Sequence, residues 1–112
     1  MPEQGDIVLI PVPFTDLSSQ KRRPVIVVSN NSYNRKTADF VFVALTSNPG
    51  PTPFGLTITS GDLEQGQLNR PSQVRVDKIY TLAQGIAVKT LGRVNKAVLD
   101  RIRGLLLQIV SE

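Results

Sequence analysis

The chain has 112 residues, with 13 Lys and Arg against 9 Asp and Glu, which gives a net charge of +4. This length suits a single domain that spans residues 1–112. The sequence has neither cysteine nor histidine, which excludes disulfides, thiolate zinc sites, a cysteine nucleophile and a catalytic triad built on histidine. Any catalysis must use Arg, Lys, Asp, Glu, Ser, Thr or Tyr, and we expect neither a metal nor another cofactor.

The basic residues concentrate in one part of the chain. Between positions 17 and 38 there is no acidic residue, and the basic residues there are Lys21, Arg22, Arg23, Arg35 and Lys36. Such a positive stretch favours an anionic partner such as nucleic acid. No apolar run reaches the roughly 18 residues of a membrane span, and the first residues are polar rather than signal-like. We therefore expect a cytoplasmic protein without membrane association.

Hydrophobic patterning predicts five or six short strands before residue 95. The predicted strands are Ile7–Phe14, Pro24–Val28, Phe40–Thr46, Leu56–Thr59, Ser72–Tyr80 and Ile86–Val94. Because Pro11 and Pro13 cannot donate to a ladder, the first strand should end at a sheet edge or leave the sheet. The polar segments 47–53 and 61–69 predict loops.

The last segment changes from strand to helical periodicity. Apolar residues recur there at a spacing of three and four, at Val98, Leu99, Ile102, Leu105, Leu106, Ile109 and Val110. This spacing predicts an amphipathic helix, for which Asn95 is the N-cap. Several short strands followed by one such helix predict a mainly β domain, barrel-like or sandwich-like, with the helix covering one face.

The first segment with candidate chemistry is Lys21-Arg22-Arg23-Pro24. The residue before a proline is held in an extended conformation, so Arg23 is fixed at the start of a strand. A guanidinium held in this way suits a phosphate, because its planar fork matches two phosphate oxygens. The alternative is a solvated sheet edge whose charges discourage aggregation.

The second segment is Thr46-Ser47-Asn48, which follows a predicted buried strand. These three short side chains offer hydrogen bonds to a phosphate or a base edge. The alternative is turn capping, in which the side chains bond to the local backbone.

The third segment runs from Asn69 to Arg75. It places Arg70 before a proline and puts Gln73 and Arg75 on one face of a strand. Amide and guanidinium groups on a strand face suit RNA bases and phosphates. The alternative is an exposed amphipathic strand.

Taken in order, these segments resemble the MazF/PemK (Kid) family of toxin endoribonucleases from toxin–antitoxin pairs. The resemblance covers nearly the whole chain. It rests on Gly5-Asp6-Ile7-Val8, Arg23-Pro24-Val25-Ile26-Val27-Val28, Leu45-Thr46-Ser47, Gln73-Val74-Arg75 and the terminal amphipathic helix. It implies a PemK/CcdB-like fold, that is, an SH3-like β-barrel of antiparallel strands with a C-terminal α-helix, in a twofold homodimer.

The resemblance also implies a reaction and its partners. The expected activity is metal-independent, sequence-specific cleavage of single-stranded RNA, in particular mRNA, and the expected inhibitor is a cognate antitoxin protein. RNA supplies its own nucleophile, the 2′-OH, so the expected products end in a 2′,3′-cyclic phosphate and a 5′-OH. Arginine and hydroxyl donors aimed at the developing negative charge are the main catalytic tool of such a site.

Carried over by motif, the predicted catalytic residues are Arg23, Thr46, Ser47 and Arg70. Arg23 clamps the scissile phosphate, the two hydroxyls donate to it or orient the 2′-OH, and Arg70 is a second phosphate contact or an acid. The predicted RNA-binding residues are Gln20, Lys21, Arg22, Asn48, Ser72, Gln73 and Arg75.

Two carboxylates of the family pattern are missing from the matched segments. The Arg-x-Asp-Gln segment of the Kid-like branch corresponds to Arg70-Pro71-Ser72-Gln73, in which Ser72 replaces the aspartate. The Gly-Ser-Glu-Gln loop corresponds to Leu17-Ser18-Ser19-Gln20, without the glutamate. This alignment leaves the general base unassigned.

Two alternative functions stay open at this point. A CcdB-like toxin that binds DNA gyrase shares the fold, but those toxins use a tryptophan near the C-terminus and this chain has none. A non-catalytic RNA-binding barrel is favoured by the loss of the two carboxylates. Cleavage of RNA in EDTA distinguishes it from an enzyme.

Overall fold

The computed structural model describes residues 2–11, 22–47, 50 and 52–112. In these ranges the strands and α-helices, in chain order, are β1 Asp6–Pro11, β2 Arg22–Val27, α1 Asn31–Lys36, β3 Asp39–Thr46, β4 Gly55–Ile58, β5 Leu63–Gly66, β6 Ser72–Ala83, β7 Lys89–Val94 and α2 Lys96–Val110. Two short 3₁₀ turns, Ser60–Asp62 and Gln84–Ile86, precede β5 and follow β6.

The strands form one sheet in the order β4-β6-β3-β2-β1-β7-β5. Every strand pair in it is antiparallel. The long strand β6 pairs with β4 through its first residues and with β3 along most of its length. The result is a half-barrel sheet with a C-terminal helix, which confirms the predicted mainly β, antiparallel fold class.

The two faces of the sheet carry separate apolar clusters. The larger cluster joins the sheet to α2 and includes Ile7, Ile26, Val43, Val74, Val76, Val98 and Ile102. The smaller cluster consists of Val8, Ile10, Val25, Val27, Phe40 and Phe42, with Leu82, Ile86 and Ala87 against it. Successive strand residues point to opposite faces, so a strand that is apolar at every position contributes to both clusters.

Helix α2 confirms the prediction from its periodicity. The Asn95 side chain accepts a hydrogen bond from the Val98 amide at 3.0 Å, which is the expected N-cap. Val98 and Ile102 are buried, whereas Val110 at the end of the predicted apolar face is exposed. In the ranges that the structure describes, no helix has the length and apolar character needed to cross a membrane.

The structure differs from the predictions most clearly in the segments 61–69 and 86–94. The predicted loop 61–69 contains the strand β5, which pairs with β7 at the sheet edge. This strand has no apolar alternation. Backbone pairing with β7, where Gly66 and Gly92 approach each other closely, holds it in the sheet rather than the burial of its side chains. The predicted strand Ile86–Val94 begins only at Lys89, after a 3₁₀ turn. Strand β1 ends at Pro11, and residues 12–14 of its prediction lie outside the described residues.

Candidate active site

A cleft of about 500 Å³ opens on the face of the sheet opposite α2. Its floor is apolar and consists of Ile10, Val25, Phe42, Ala44 and Leu82. Its polar and aromatic walls include Arg23, Thr46, Thr52, Arg75, Lys78 and Tyr80. Of the described residues that line the cleft, three are basic and none is acidic, so the cleft suits a ligand with both anionic and apolar parts.

Arg23 lies on β2, where its backbone pairs with Ile10 of β1 and its side chain is exposed at the cleft. The following Pro24 keeps this part of the strand extended. The backbone that carries the Arg23 guanidinium is therefore held in an extended conformation, which agrees with the prediction from the sequence. Arg22 is also exposed, but strand alternation turns it away from the face that carries Arg23.

Thr46 is the last residue of β3 and lines the cleft. It faces Gln73 of β6, and the Gln73 side-chain amide donates to Thr57 Oγ1 of β4 at 2.6 Å. These residues form a polar row across three strands, of which Thr46 alone is among the described residues that line the cleft. Ser47 follows the strand, is exposed, and is not among the described residues that line the cleft.

Arg75 and Asp77 form a bidentate ion pair on β6. Arg75 Nε donates to Asp77 Oδ1 at 3.0 Å, and Nη2 donates to Oδ2 at 2.9 Å. These hydrogen bonds raise the pKa of Arg75 and lower the pKa of Asp77 below its ordinary value. Because about one third of each side chain is exposed to solvent, the main effect of the pair is to orient the Arg75 guanidinium rather than to stabilise the fold.

A bulge in β6 decides which of its side chains face the cleft. Ala44 of β3 pairs with Arg75, but the preceding Val43 pairs with Ile79, so β6 carries extra residues at 76–78. The extra residues change the phase of the strand, as bulges do. Arg75 and Tyr80 both line the cleft, although simple alternation from Arg75 would put Ile79 there instead of Tyr80.

The structure does not bring Arg70 and Ser72 into the cleft. Arg70 is exposed in the bend before β6 and is not among the described lining residues. Ser72 is buried, and its Oγ donates to the Arg70 carbonyl at 3.2 Å. The arginine of β6 that does line the cleft is Arg75, and its carboxylate partner is Asp77. The predicted residues Gln20, Lys21 and Asn48 lie outside the described residues.

A sequence signal for the Arg75–Asp77 pair was present. The family segment has an arginine and an aspartate two residues apart, and Arg75-Val76-Asp77 has this spacing, whereas Arg70-Pro71-Ser72 has no acid. Tyr80 and Lys78 were missed for a different reason. Their orientation depends on the bulge, which local residue patterns do not reveal.

Other carboxylates of the described residues serve different purposes. Asp6 is buried, and Arg93 donates to it at 2.8 Å, which joins β1 to β7 and raises the pKa of Arg93. Within the described part of the chain, no three carboxylate side chains cluster closely enough to hold a metal ion.

Comparison with known protein families identifies relatives over almost the entire chain. A family profile described as PemK-like, MazF-like toxin of type II toxin–antitoxin system matches residues 3–110. Endoribonuclease MazF1 of Mycobacterium bovis is 34% identical over 80 residues, which cover 71% of this chain and 70% of that protein. Endoribonuclease MazF4 of Mycobacterium tuberculosis matches with the same identity and coverage.

Solved structures give the same result for the fold. A mycobacterial endoribonuclease solved in complex with its cognate antitoxin has a TM-score of 0.76 and 29% identity, covering 96% of this chain and 93% of that chain. A chain of the MazE–MazF crystal structure (Form-III) from Deinococcus radiodurans has a TM-score of 0.78 and 25% identity, covering 97% of this chain and 95% of that chain.

Proposed function

The chain belongs to the family of PemK-like, MazF-like toxins of type II toxin–antitoxin systems, and we propose that it is an endoribonuclease that cleaves single-stranded RNA. The observation that carries the proposal is the juxtaposition of Arg23, Thr46 and Arg75 around one apolar-floored cleft. Phosphates of RNA suit the two guanidinium groups, and bases suit the apolar floor. Because its mRNA substrate is found in the cytoplasm, we place the protein there.

The reaction needs no group beyond the RNA and the protein. The 2′-oxygen forms a bond to the adjacent phosphorus and loses its proton, while the bond from phosphorus to the 5′-oxygen breaks and that oxygen gains a proton. The products are a 2′,3′-cyclic phosphate and a 5′-OH. Arg23 stabilises the extra negative charge of the phosphorane with its planar fork of donors, as charge-matched donors do in such transition states.

Arg75 is the second cationic contact of the phosphate in this proposal. Asp77 engages Nε and one hydrogen of Nη2, which leaves the Nη1 hydrogens for an RNA oxygen. A carboxylate with a lowered pKa is a weak base at neutral pH, so Asp77 acts by positioning Arg75. Thr46, which pairs with Gln73 in the sheet and lines the same cleft, orients the 2′-OH or donates its hydroxyl to a phosphate oxygen.

Two protein partners complete the proposed function. The first is a cognate antitoxin protein, as in the mycobacterial complex that shares the fold. The second is another copy of this chain. Ile79, Leu107 and Val110 are exposed apolar residues on the α2 side of the sheet, and covering them favours a twofold homodimer. Light scattering should then give about twice the chain mass of 12.3 kDa.

The decisive experiment maps 5′ ends on a mixed-sequence RNA that has been incubated with the purified protein in EDTA. We expect cleavage in EDTA because no step needs a metal. The cuts should recur at one short sequence, and their 5′ ends should carry an OH because the 5′-oxygen is the leaving group. Intact RNA under these conditions, with cleavage restored by magnesium, contradicts the metal-free mechanism. Binding without any cleavage supports the non-catalytic barrel. The names of the curated relatives favour a nuclease over a gyrase-binding toxin.

A further inference from the structure

Tyr80 is an exposed aromatic residue in the wall of a charged cleft. Its relative exposure is 42%, and it lines the same cleft as Arg23 and Arg75. We propose that the Tyr80 ring is a stacking platform for one base of the RNA substrate, beside the scissile phosphate. This inference depends on the proposed endoribonuclease function and adds a residue that positions the substrate.

The Tyr80 ring is supported from behind by the protein core. It stacks on Phe42 with ring centroids 5.5 Å apart and an interplanar angle of 26°. Phe42 in turn contacts Phe40 at a centroid distance of 5.3 Å, and both phenylalanines are buried. Since Phe42 covers one face of the tyrosine ring, the exposed surface is the other face and the ring edge. A base that stacks there continues an aromatic row that is already ordered.

The charges near Tyr80 fit a nucleic acid. Lys78 and Arg75 come from the same strand and line the same cleft, so cations that can bind phosphate share the cleft with the ring. Single-stranded nucleic acids are bound by this combination, in which aromatic rings hold the bases and cations follow the backbone. Phe42, which pairs with Tyr80, lies two residues from Ala44, which pairs with Arg75. Two residues span about 7 Å along a strand, so one short RNA segment can contact both Tyr80 and Arg75.

The β6 bulge supplies the reason for this arrangement. If residues 76–78 continued the regular alternation from Arg75, Ile79 would face the cleft and Tyr80 would face the α2 side. The bulge instead places a branched aliphatic residue outside the cleft and an aromatic residue inside it. A bulge of this kind re-aims a side chain next to a functional site.

Because Tyr80 contacts a base and not the reacting atoms, its loss should weaken RNA binding rather than slow the chemistry. Tyr80→Leu keeps apolar volume and removes the ring. We expect it to raise the dissociation constant by roughly 5- to 150-fold, the range found for loss of one base–aromatic stack. The single-turnover rate at saturating protein should stay near that of the wild type. Tyr80→Phe keeps the ring and should bind nearly as well as the wild type.

Binding is measured by fluorescence anisotropy with an RNA oligonucleotide that carries one 2′-deoxy nucleotide at the mapped cleavage position, which prevents cleavage. The matched control is Tyr33→Leu, since Tyr33 is the other tyrosine of the chain and lies on α1, outside the cleft. Circular dichroism of both leucine variants checks that they are folded. Tyr33→Leu should bind as the wild type does.

A second measurement identifies the stacked base. Each nucleotide next to the cleavage position is replaced in turn by an abasic one. At one position the loss of the base should weaken binding to the wild type but not weaken binding to Tyr80→Leu any further. The proposal is overturned if the wild type cleaves RNA and Tyr80→Leu binds equally well, or if every abasic position affects both proteins equally. A wild-type protein that neither binds nor cleaves RNA overturns the proposed function as well.

Discussion

The two faces of the sheet use neighbouring residues of the same strands for different purposes. Ile26 and Val43 point toward α2 and pack with Ile102 in a closed core. Val25 and Phe42, one residue away, point to the other face and form the floor of the open cleft. The covered face supplies most of the burial that stabilises the fold, and the open face presents cations and an aromatic ring to a ligand. Stability and binding should therefore respond to different substitutions.

The largest effect on stability is expected beneath α2. Ile102 is 1% exposed, and Ile102→Ala should lower the free energy of unfolding by about 2–5 kcal/mol through lost burial and a residual cavity. Urea denaturation measures the change. The cleavage rate of the folded fraction should remain unchanged, because Ile102 does not contact the cleft. Arg101→Ala is the control on the same helix, since the Arg101 side chain is exposed and its loss should cost little. Equal losses for the two variants contradict the assignment of the core.

The largest effect on the chemistry is expected from Arg23. Arg23→Lys keeps the charge but loses the planar fork of donors. At saturating protein, the single-turnover rate should fall by roughly 10²–10³-fold, which corresponds to about 2.7–4 kcal/mol of transition-state stabilisation. Arg22→Lys, on the neighbouring residue that faces away, should be mild. If Arg23→Lys cleaves at nearly the wild-type rate, Arg23 only helps to dock the RNA.

A smaller effect is expected from Asp77, which touches Arg75 rather than the substrate. Asp77→Asn weakens the hold on Arg75, and we expect roughly a tenfold loss in rate, below the 10²–10⁴-fold contribution typical of a general base. Because the pKa of Asp77 is lowered, the pair is intact at neutral pH and is lost only as the pH falls through that lowered value. The wild-type rate should therefore show no titration of Asp77 between about pH 5 and 8.

The opposite face offers a matched control for the Asp77 variant. Asp100 accepts a hydrogen bond from Arg103 at 2.7 Å in an exposed ion pair on α2. Asp100→Asn removes a similar pair far from the cleft and should leave the cleavage rate unchanged. A fall in rate of 10³-fold or more for Asp77→Asn, together with a wild-type rate that rises with pH as a carboxylate ionises, indicates that Asp77 is the general base.

Much of the architecture was predictable because its signals are local. The helical spacing after residue 97 and the Asn95 cap gave α2, and continuous apolar runs gave β2 and β3. Strand β5 was not predictable, since its backbone pairs at the sheet edge without burying a periodic set of side chains. The position of Arg23 was predictable from the proline that follows it, which restricts the backbone regardless of tertiary context.

The sequence by itself determined which side chains are available for chemistry: it has no histidine or cysteine, it is basic, and it places Arg23 before the proline of a buried strand. It also carries the order of motifs that is shared with one toxin family. The tertiary structure alone decided which side chains meet. The spacing of Arg75 and Asp77 is a local signal for an ion pair, but it does not show that Arg75 reaches the cleft while Arg70 stays outside it. Tyr80 faces the cleft only because of a register shift between β3 and β6. A register shift is a relation between residues distant in sequence, so the residues around it carry no local sign of which face they will occupy.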